Sequence, residues 1–393
     1  MSLHPDFVVI GAGIAGASIA HALQERGQVV LLEREALPGH HTTGRSAAFL
    51  VESYGPAAVR ALTRASRRFL ADPPDGFSEI PLIHPNPMLW IARQDQRKIL
   101  EEALEEGRAA GSPVEAIDVA GACEVCPVLR EDYLAAATIE WSALHIDVAA
   151  LLDAFIRGFR RQGGHWVGGA PVETLVRKGG GWQVDAGGER YTTSTVINAA
   201  GAWADAIGQL AGAASIGLCP MRRTAITFEP PAGADVRSWP CVVDAEEEFY
   251  FKPEGVRLLA SPCDETPMDP CDVSPDDYEV ALVAERVQRA THLEIRHIEN
   301  RWAGLRNFVA DRSPVVGFDP ALPGFFWLAG QGGFGIMTSP AAARAAAGLI
   351  VDGRLPADLA AEGLTAEMLS SARLLEASKH APAASLQETG GRG

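Results

Sequence analysis

The stretch VVIGAGIAGASIAHALQERGQVVLLERE, residues 8–35, decides how the rest of the chain is read. The apolar run FVVI at 7–10 suits a buried parallel strand. ASIAHALQERG has helical spacing with Gly27 as its stop, and VVLLE at 29–33 suits the next strand, so a βαβ unit is expected at the N-terminus. Gly11, Gly13 and Gly16 complete G-x-G-x-x-G at the turn from strand to helix. In that setting Gly11 permits the tight turn, Gly13 lets the backbone approach a pyrophosphate, and Gly16 lets helix pack on strand. The exposed N–H groups and the helix dipole favour phosphate. Glu33, at the end of the second strand, suits ribose hydroxyls and repels a 2′-phosphate. A dinucleotide other than NADP is expected, against the alternative of a glycine turn that serves packing alone.

Composition narrows the setting. With 393 residues, two interleaved domains fit better than one simple core. The chain carries 34 Lys+Arg against 50 Asp+Glu, a formal charge of −16 that repels nucleic acid and anionic lipid surfaces. No run of about 18 apolar residues and no signal-peptide pattern is present, so a soluble, cytoplasmic protein without a membrane span is expected. Six scattered cysteines read as reduced thiols, and the lone pair Cys123 and Cys126, at a helix end before Pro127, lacks the partners of a zinc site.

Further along, residues 57–70 read as an amphipathic helix with Arg60, Arg64, Arg67 and Arg68 on a solvated side, and residues 94–109 as another surface helix. A new sheet is expected to start near residue 80. After a helix at 147–161, residues 172–203 read as a β-meander feeding back to the central sheet. Antiparallel strands are expected at 222–229 and 241–260, a helix at 276–290 and a strand near 297–303. FFWLAG at 325–330 reads as a buried strand before a second glycine loop, GQGGFGIMTSPAAARAAAGLI, that opens a helix with Thr338 or Ser339 as its cap. Residues 374–393 lack periodicity and are expected to be disordered.

The residues after Glu33 separate the dinucleotides. PGHHTTGRSAAFL offers small and hydroxyl residues and Gly44-Arg45, a second device for a pyrophosphate and a planar ring. At this point the chain resembles the D-amino acid oxidase superfamily of flavoproteins, and within it is most similar to the D-arginine dehydrogenase branch. The resemblance rests on GAGIAGAS, LLERE, PGHHTTGRSAA, PVLR, IDVAAL, NAAGAW, RRTAITF, FYFKP, WAGLRNFVAD and GQGGFGI, in order from residue 8 to about 340. It implies an α/β fold: a Rossmann-like FAD-binding domain of glutathione-reductase type with an inserted antiparallel-sheet substrate domain. The domains expected are residues 1–74, 146–223 and 307–373 for FAD, and 75–145 and 224–306 for substrate.

The resemblance implies noncovalent FAD held by Gly11, Gly13, Ile14, Ala15, Gly16, Glu33, Arg34, Thr42, Thr43, Gly44, Arg45, Ser46, Ala47, Ala48, the backbone of Val172, and Gly332, Gly333, Phe334, Gly335, Ile336 and Met337. His41 is the one candidate for covalent attachment. It places Arg223 and Arg306 on a substrate carboxylate, with hydroxyls from Tyr54 and Tyr250 and the Gly333 carbonyl toward the amine. Met88 stands where the arginine-preferring pattern has a carboxylate, and Phe49 and Val51 replace polar residues. A guanidinium buried there would lose several kcal/mol to desolvation.

The function expected is therefore flavin-dependent oxidative deamination of D-amino acids with apolar side chains. Glu52 or the run Glu246 to Glu248 is the source from which an acid could return to the pocket. The alternatives are an oxidoreductase for glycine, sarcosine, proline or a 2-hydroxy acid, a flavin-binding subunit without chemistry, and an NAD-linked dehydrogenase. The electron acceptor stays open, and no metal is expected.

Overall fold

The computed structural model describes residues 2–109 and 111–374. Among these residues the N-terminal βαβ unit seeds a six-stranded sheet in the order His165–Val167, Val29–Leu32, Phe7–Ile10, Thr195–Asn198, Phe325–Ala329 and Val315–Phe318. The first five strands are parallel, and Val315–Phe318 closes one edge antiparallel. The strands are apolar because both faces are covered. On one face Val9, Leu31, Ile197, Phe326 and Leu328 join a core that includes Leu23 of the helix Ile14–Gln24 and Ala341 of the helix Gly335–Ala347. On the other, Val8, Val30, Val196 and Trp327 pack on the meander. That meander, Val172–Lys178, Gly181–Ala186 and Glu189–Thr193, pairs with Ser2–Leu3 as a four-stranded sheet.

A nine-stranded sheet makes the second layer, with Cys219–Phe228 paired along nearly its whole length to Asn300–Phe308. Boundaries drawn at 223/224 and 306/307 fall inside these two continuous strands. Every named pairing of the sheet is antiparallel except Cys241–Asp244 with Met88–Ala92, which is parallel. The helix Asp277–Ala290 packs on its outer face with Leu89, Ile139, Ile226, Val242 and Phe251. Period-two alternation then sends Met88, Trp90, Arg223, Cys241, Val243, Tyr250 and Lys252 to the inner face.

Aspartates at the helix starts do what their position predicts: Asp147 accepts from Ala150 N at 2.8 Å and Asp276 from Tyr278 N at 2.8 Å. The arginines of the helix Ala57–Ala71 do not form a plain solvated face. Arg60 donates to Gly55 O at 2.7 Å, Arg64 pairs with Glu362 and Arg67 with Glu52, which ties this helix to the loop before it and to residues near 362. The tail expectation lies outside the described residues apart from Leu374, which is buried in the core beside the meander.

A three-stranded sheet, Phe49–Leu50, Leu144–Ile146 and Ile83–Pro85, sits at the join of the layers and contains His145. Burial, and then the Lys252 ammonium, push the His145 imidazole from 6.5 down to about 4. The unfolded chain binds this proton across a window where the folded chain does not. Stability from this group is therefore complete above 6.5 and is expected to drain away as pH falls from 6.5 toward about 4. Urea midpoints measured across that window check the expectation, because His145→Asn should flatten the slope.

Candidate active site

The two glycine loops line a common cavity of about 370 Å³ between the layers. At its floor Gly11 has φ +99, and a Cβ there would lie 2.5 Å from Ala199 O. A Cβ on Gly16 would lie 1.7 Å from Gly11 O, so helix and strand approach only because that residue is glycine. A Cβ on Gly13 would meet nothing closer than Thr43 Oγ1 at 3.2 Å, which leaves its backbone facing the cavity. The Glu33 carboxylate accepts from Ala12 N at 2.7 Å and from Glu35 N at 3.0 Å, and Thr43 Oγ1 accepts from Ile14 N at 3.0 Å.

Of the residues expected to hold a cofactor, Gly11, Gly13, Ile14, Ala15, Glu33, Arg34, Thr42, Thr43, Arg45, Ser46, Ala47, Ala48, Val172, Gly332, Gly333, Gly335 and Ile336 line the cavity. Gly16 and Gly44 stand behind it, and a Cβ added to the latter would lie 2.6 Å from Gly39 O. Phe334 and Met337 are buried in the core below the sheet. Trp203, from the stretch NAAGAW, also lines the cavity, with the Arg34 guanidinium 4.7 Å from its ring.

The second loop departs from one expectation. Neither Thr338 nor Ser339 caps the helix Gly335–Ala347, whose N-cap is Phe334 without a side-chain bond. Both lie inside the first turns, where their hydroxyls donate back to Phe334 O at 2.9 Å and Ile336 O at 3.0 Å. The helix begins at the last glycine of the loop, too early for either residue to serve. Its first N–H groups are therefore left without a side-chain cap beside the cavity.

Arg223, Tyr250 and Arg306 line the same cavity from the second layer. The Arg306 side chain makes no hydrogen bond or salt bridge to any described residue, and its guanidinium lies against Gly333, where an added Cβ would be 2.8 Å away. Arg223 is only 8% exposed, donates through Nη2 to Glu265 at 3.1 Å, and keeps a buried Nε without a partner. Burial pushes the Tyr250 hydroxyl up to about 12, offset in part by Arg306. It therefore stays protonated as a donor. Tyr54 lines a second hollow, of about 590 Å³, and its hydroxyl donates to Glu247 at 3.1 Å. Burial and then Glu247 hold it well above the usual phenol range.

Met88 and Val51 are buried with Cys241 and Val243 in one apolar cluster, against which Phe49, Tyr54, Trp90 and Tyr250 pack. Sequence reasoning passed over Lys252, which is 1% exposed, pairs with Glu254 and lies 5.5 Å from the Phe49 ring. The clue was local, since Lys252 is two residues from Tyr250 on one strand. It also passed over Cys263, whose thiol is pushed up to about 11 by burial while Arg223 pulls it down. The non-glycine residues with positive φ are Glu247, Cys263 and Arg312 at 54°, 56° and 56° among the described residues, and all three surround the arginines and Tyr54. Such strain persists where surrounding structure enforces it, at about 1–3 kcal/mol per residue.

Away from this centre, Cys123 and Cys126 are free thiols at the end of the helix Val119–Val125, and burial pushes Cys126 up to about 12. His41 donates or accepts with Glu35 at 3.0 Å and packs at a tilt against the Trp203 ring, and with His40 and Glu35 its ligand atoms lie within 4.8 Å of one another.

The profile of the family described as DAO, FAD dependent oxidoreductase, matches residues 6–349. The chain belongs to this family of FAD-dependent oxidoreductases. Among its relatives, glycine oxidase of Bacillus licheniformis is 24% identical over 363 residues, covering 88% of this chain and 93% of the relative. Human mitochondrial sarcosine dehydrogenase is 26% identical over 381 residues, which span 90% of this chain but 40% of that longer protein. The solved structure of L-proline dehydrogenase from P. horikoshii superposes with a TM-score of 0.83 at 21% identity, covering 96% of this chain and 99% of that one. At that identity the likeness establishes the fold: an α/β FAD-binding architecture with several sheets.

As a member of the FAD-dependent oxidoreductase family the chain takes FAD, and its residues fit that group. The glycines leave no side chain between backbone and cavity floor, and Glu33 stands at the end of the second strand. Buried polar atoms without partners, on His41, Asn307 and Gln331 as well as Arg223, belong to residues that line the cavity. A bound FAD would offer these four cavity-lining groups the bonds they lack. Among the described residues no helix is long and apolar enough to cross a membrane.

Proposed function

We propose that this FAD-dependent oxidoreductase oxidises the C–N bond of a small amino or imino acid whose carboxylate is gripped by Arg223 and Arg306. The observation that carries the reading is the pair of guanidinium groups lining the cavity from the second layer, one whose side chain has no hydrogen-bond or salt-bridge partner among the described residues and one with a buried, unpaired Nε. A planar, permanently charged fork is the group best matched to a carboxylate. FAD supplies the two-electron acceptor.

The chain's own residues bind, orient and exclude. Tyr250 donates to the carboxylate, and the Gly333 carbonyl faces the amine. Two guanidinium charges disfavour an ammonium beside them, which lowers its pKa and favours the neutral amine needed for hydride loss. The uncapped start of the helix Gly335–Ala347 lies beside the cavity, where its dipole would favour negative charge on a bound FAD.

The relatives carry names of enzymes acting on glycine, sarcosine and proline, which favours a small amino or imino acid over a reading confined to D-amino acids. The apolar cluster of Met88, Val51, Cys241 and Val243 supports uncharged substituents, and the buried ammonium of Lys252 on the same face opposes a cationic one. D-amino acids such as D-Leu, D-Met or D-Phe are the second reading, favoured by that cluster. Anaerobic bleaching of the flavin, with FAD held noncovalently, tests both: glycine, sarcosine, proline, D-Leu and D-Arg are mixed in turn with the holoenzyme. At least one neutral substrate is expected to exceed D-Arg in kcat/KM by about a hundredfold, the scale of an unpaired buried charge. A preference for D-Arg would overturn the apolar pocket, and bleaching by none of them would overturn the reaction.

A further inference from the structure

Arg223 belongs to a chain of charges that reaches beyond the cavity. Its Nη2 donates to Glu265 Oε1 at 3.1 Å, and Arg312 grips the same carboxylate twice, Nη1 to Oε2 at 3.0 Å and Nη2 to Oε1 at 2.6 Å. Arg312 has φ 56 and its guanidinium lies 3.9 Å from the centre of the Phe308 ring. That ring in turn packs on the second glycine loop, where a Cβ at Gly332 would be 2.2 Å from it. Cys263, also at φ 56, bends the chain just before two consecutive acids. Asp264 then takes Arg222, with Nε at 3.1 Å, while Glu265 takes Arg223 from the opposite face of the same strand. Two residues with positive φ therefore adjoin Glu265, Cys263 two positions before it and Arg312 bonded to its carboxylate.

The Nε and Nη2 atoms of an arginine form one edge of its fork, made for a bidentate carboxylate. Glu265 takes only Nη2, and Arg223 Nε stays buried and free. The reason is visible in the bonds: both oxygens of Glu265 are already engaged by Arg312. We propose that Arg312 and Glu265 are positioning residues for the carboxylate clamp. Glu265 fixes the guanidinium of Arg223, and Arg312 holds Glu265 back from closing over Nε, so that this edge remains for substrate. The proposal rests on the reading of Arg223 as a carboxylate ligand. Neither Arg312 nor Glu265 touches the substrate; they act through Arg223.

The test uses FAD-loaded protein and benzoate, a carboxylate without an amine, with Kd read from the shift of the flavin absorption bands. In Arg312→Met, Glu265 is released to pair with the whole Nε and Nη2 edge, so the benzoate Kd should rise about tenfold and KM with it, while kcat changes less. In Arg312→Met combined with Glu265→Gln the amide can accept from Nη2 but offers no second acceptor to Nε. Kd should then return to within about threefold of the wild type. A merely structural role predicts the reverse, with the double variant worse than the single. Arg312→Lys keeps a cation beside Glu265 with one contact, and shows the same direction at reduced size should Arg312→Met fail to load FAD. An unchanged Kd in Arg312→Met and Arg312→Lys, or a double variant no better than the single, overturns the proposal alone. A wild-type flavin that ignores benzoate overturns the carboxylate clamp and this proposal with it.

Discussion

Arg306→Met should lower kcat/KM for the best neutral substrate by a hundred- to a thousandfold, roughly 3–4 kcal/mol, with most of the loss in KM. Methionine keeps much of the bulk that lies against Gly333 but removes a cavity guanidinium that makes no side-chain hydrogen bond or salt bridge to any described residue. The substrate carboxylate would then enter a partly desolvated site with only Arg223, half committed to Glu265, to receive it. Binding of the carboxylate is common to ground state and transition state, which is why KM carries the larger share. FAD content should be unchanged, because the glycine loops do not depend on the charge. Steady-state kinetics together with the visible spectrum decide the matter, and near-normal kinetics would remove Arg306 from the site.

The second large effect is expected at Gly16→Ala. The new methyl would be placed 1.7 Å from Gly11 O, a main-chain atom that cannot swing aside, so the helix Ile14–Gln24 must be pushed off the strand Phe7–Ile10. Either the turn opens and the pyrophosphate loses its N–H groups, or the helix moves and unpacks Ile19 and Leu23 from the core. Burying one such side chain contributes about 1.5–3 kcal/mol, so both outcomes are severe. The variant should purify without flavin colour, fail to take up added FAD, and unfold at a clearly lower temperature. Gly13→Ala is the contrast: its methyl meets only Thr43 Oγ1 at 3.2 Å, so the fold should survive while FAD affinity falls. Absorbance ratios and thermal melts of the two variants side by side check the pair.

How much could be read beforehand depends on the range of the forces involved. The glycine turns, the apolar strands and the helix starts at Asp147 and Asp276 are local, so adjacent residues declare them. Arg223, Tyr250 and Arg306 carry no local mark, and only resemblance to known flavoproteins pointed to them. Glu265 and Arg312 were missed because their meaning lies in contacts 42 and 47 residues distant along the chain. The positive φ of Glu247, Cys263 and Arg312 was equally silent, since none is a glycine or an asparagine that would advertise it. The capping role read for Thr338 and Ser339 failed for the opposite reason: a plausible local pattern was overruled by a helix that starts at Gly335. Lys252 was in reach, because alternation along Tyr250–Glu254 sets it on the inner face with Tyr250.

Gly332 N donates to Asn307 O at 2.9 Å, next to Arg306 on the same strand, so the second glycine loop and the strand that carries Arg306 are latched together by main chain. Met88, Cys241 and Val243, which the proposed function assigns to the rest of the substrate, sit on other strands and pack through side chains alone in a separate apolar cluster. Under the proposed function, substitutions at those three positions are expected to alter which substrates are accepted while the main-chain latch between Asn307 and Gly332 is kept, which makes this scaffold a starting point for directed evolution toward new amines.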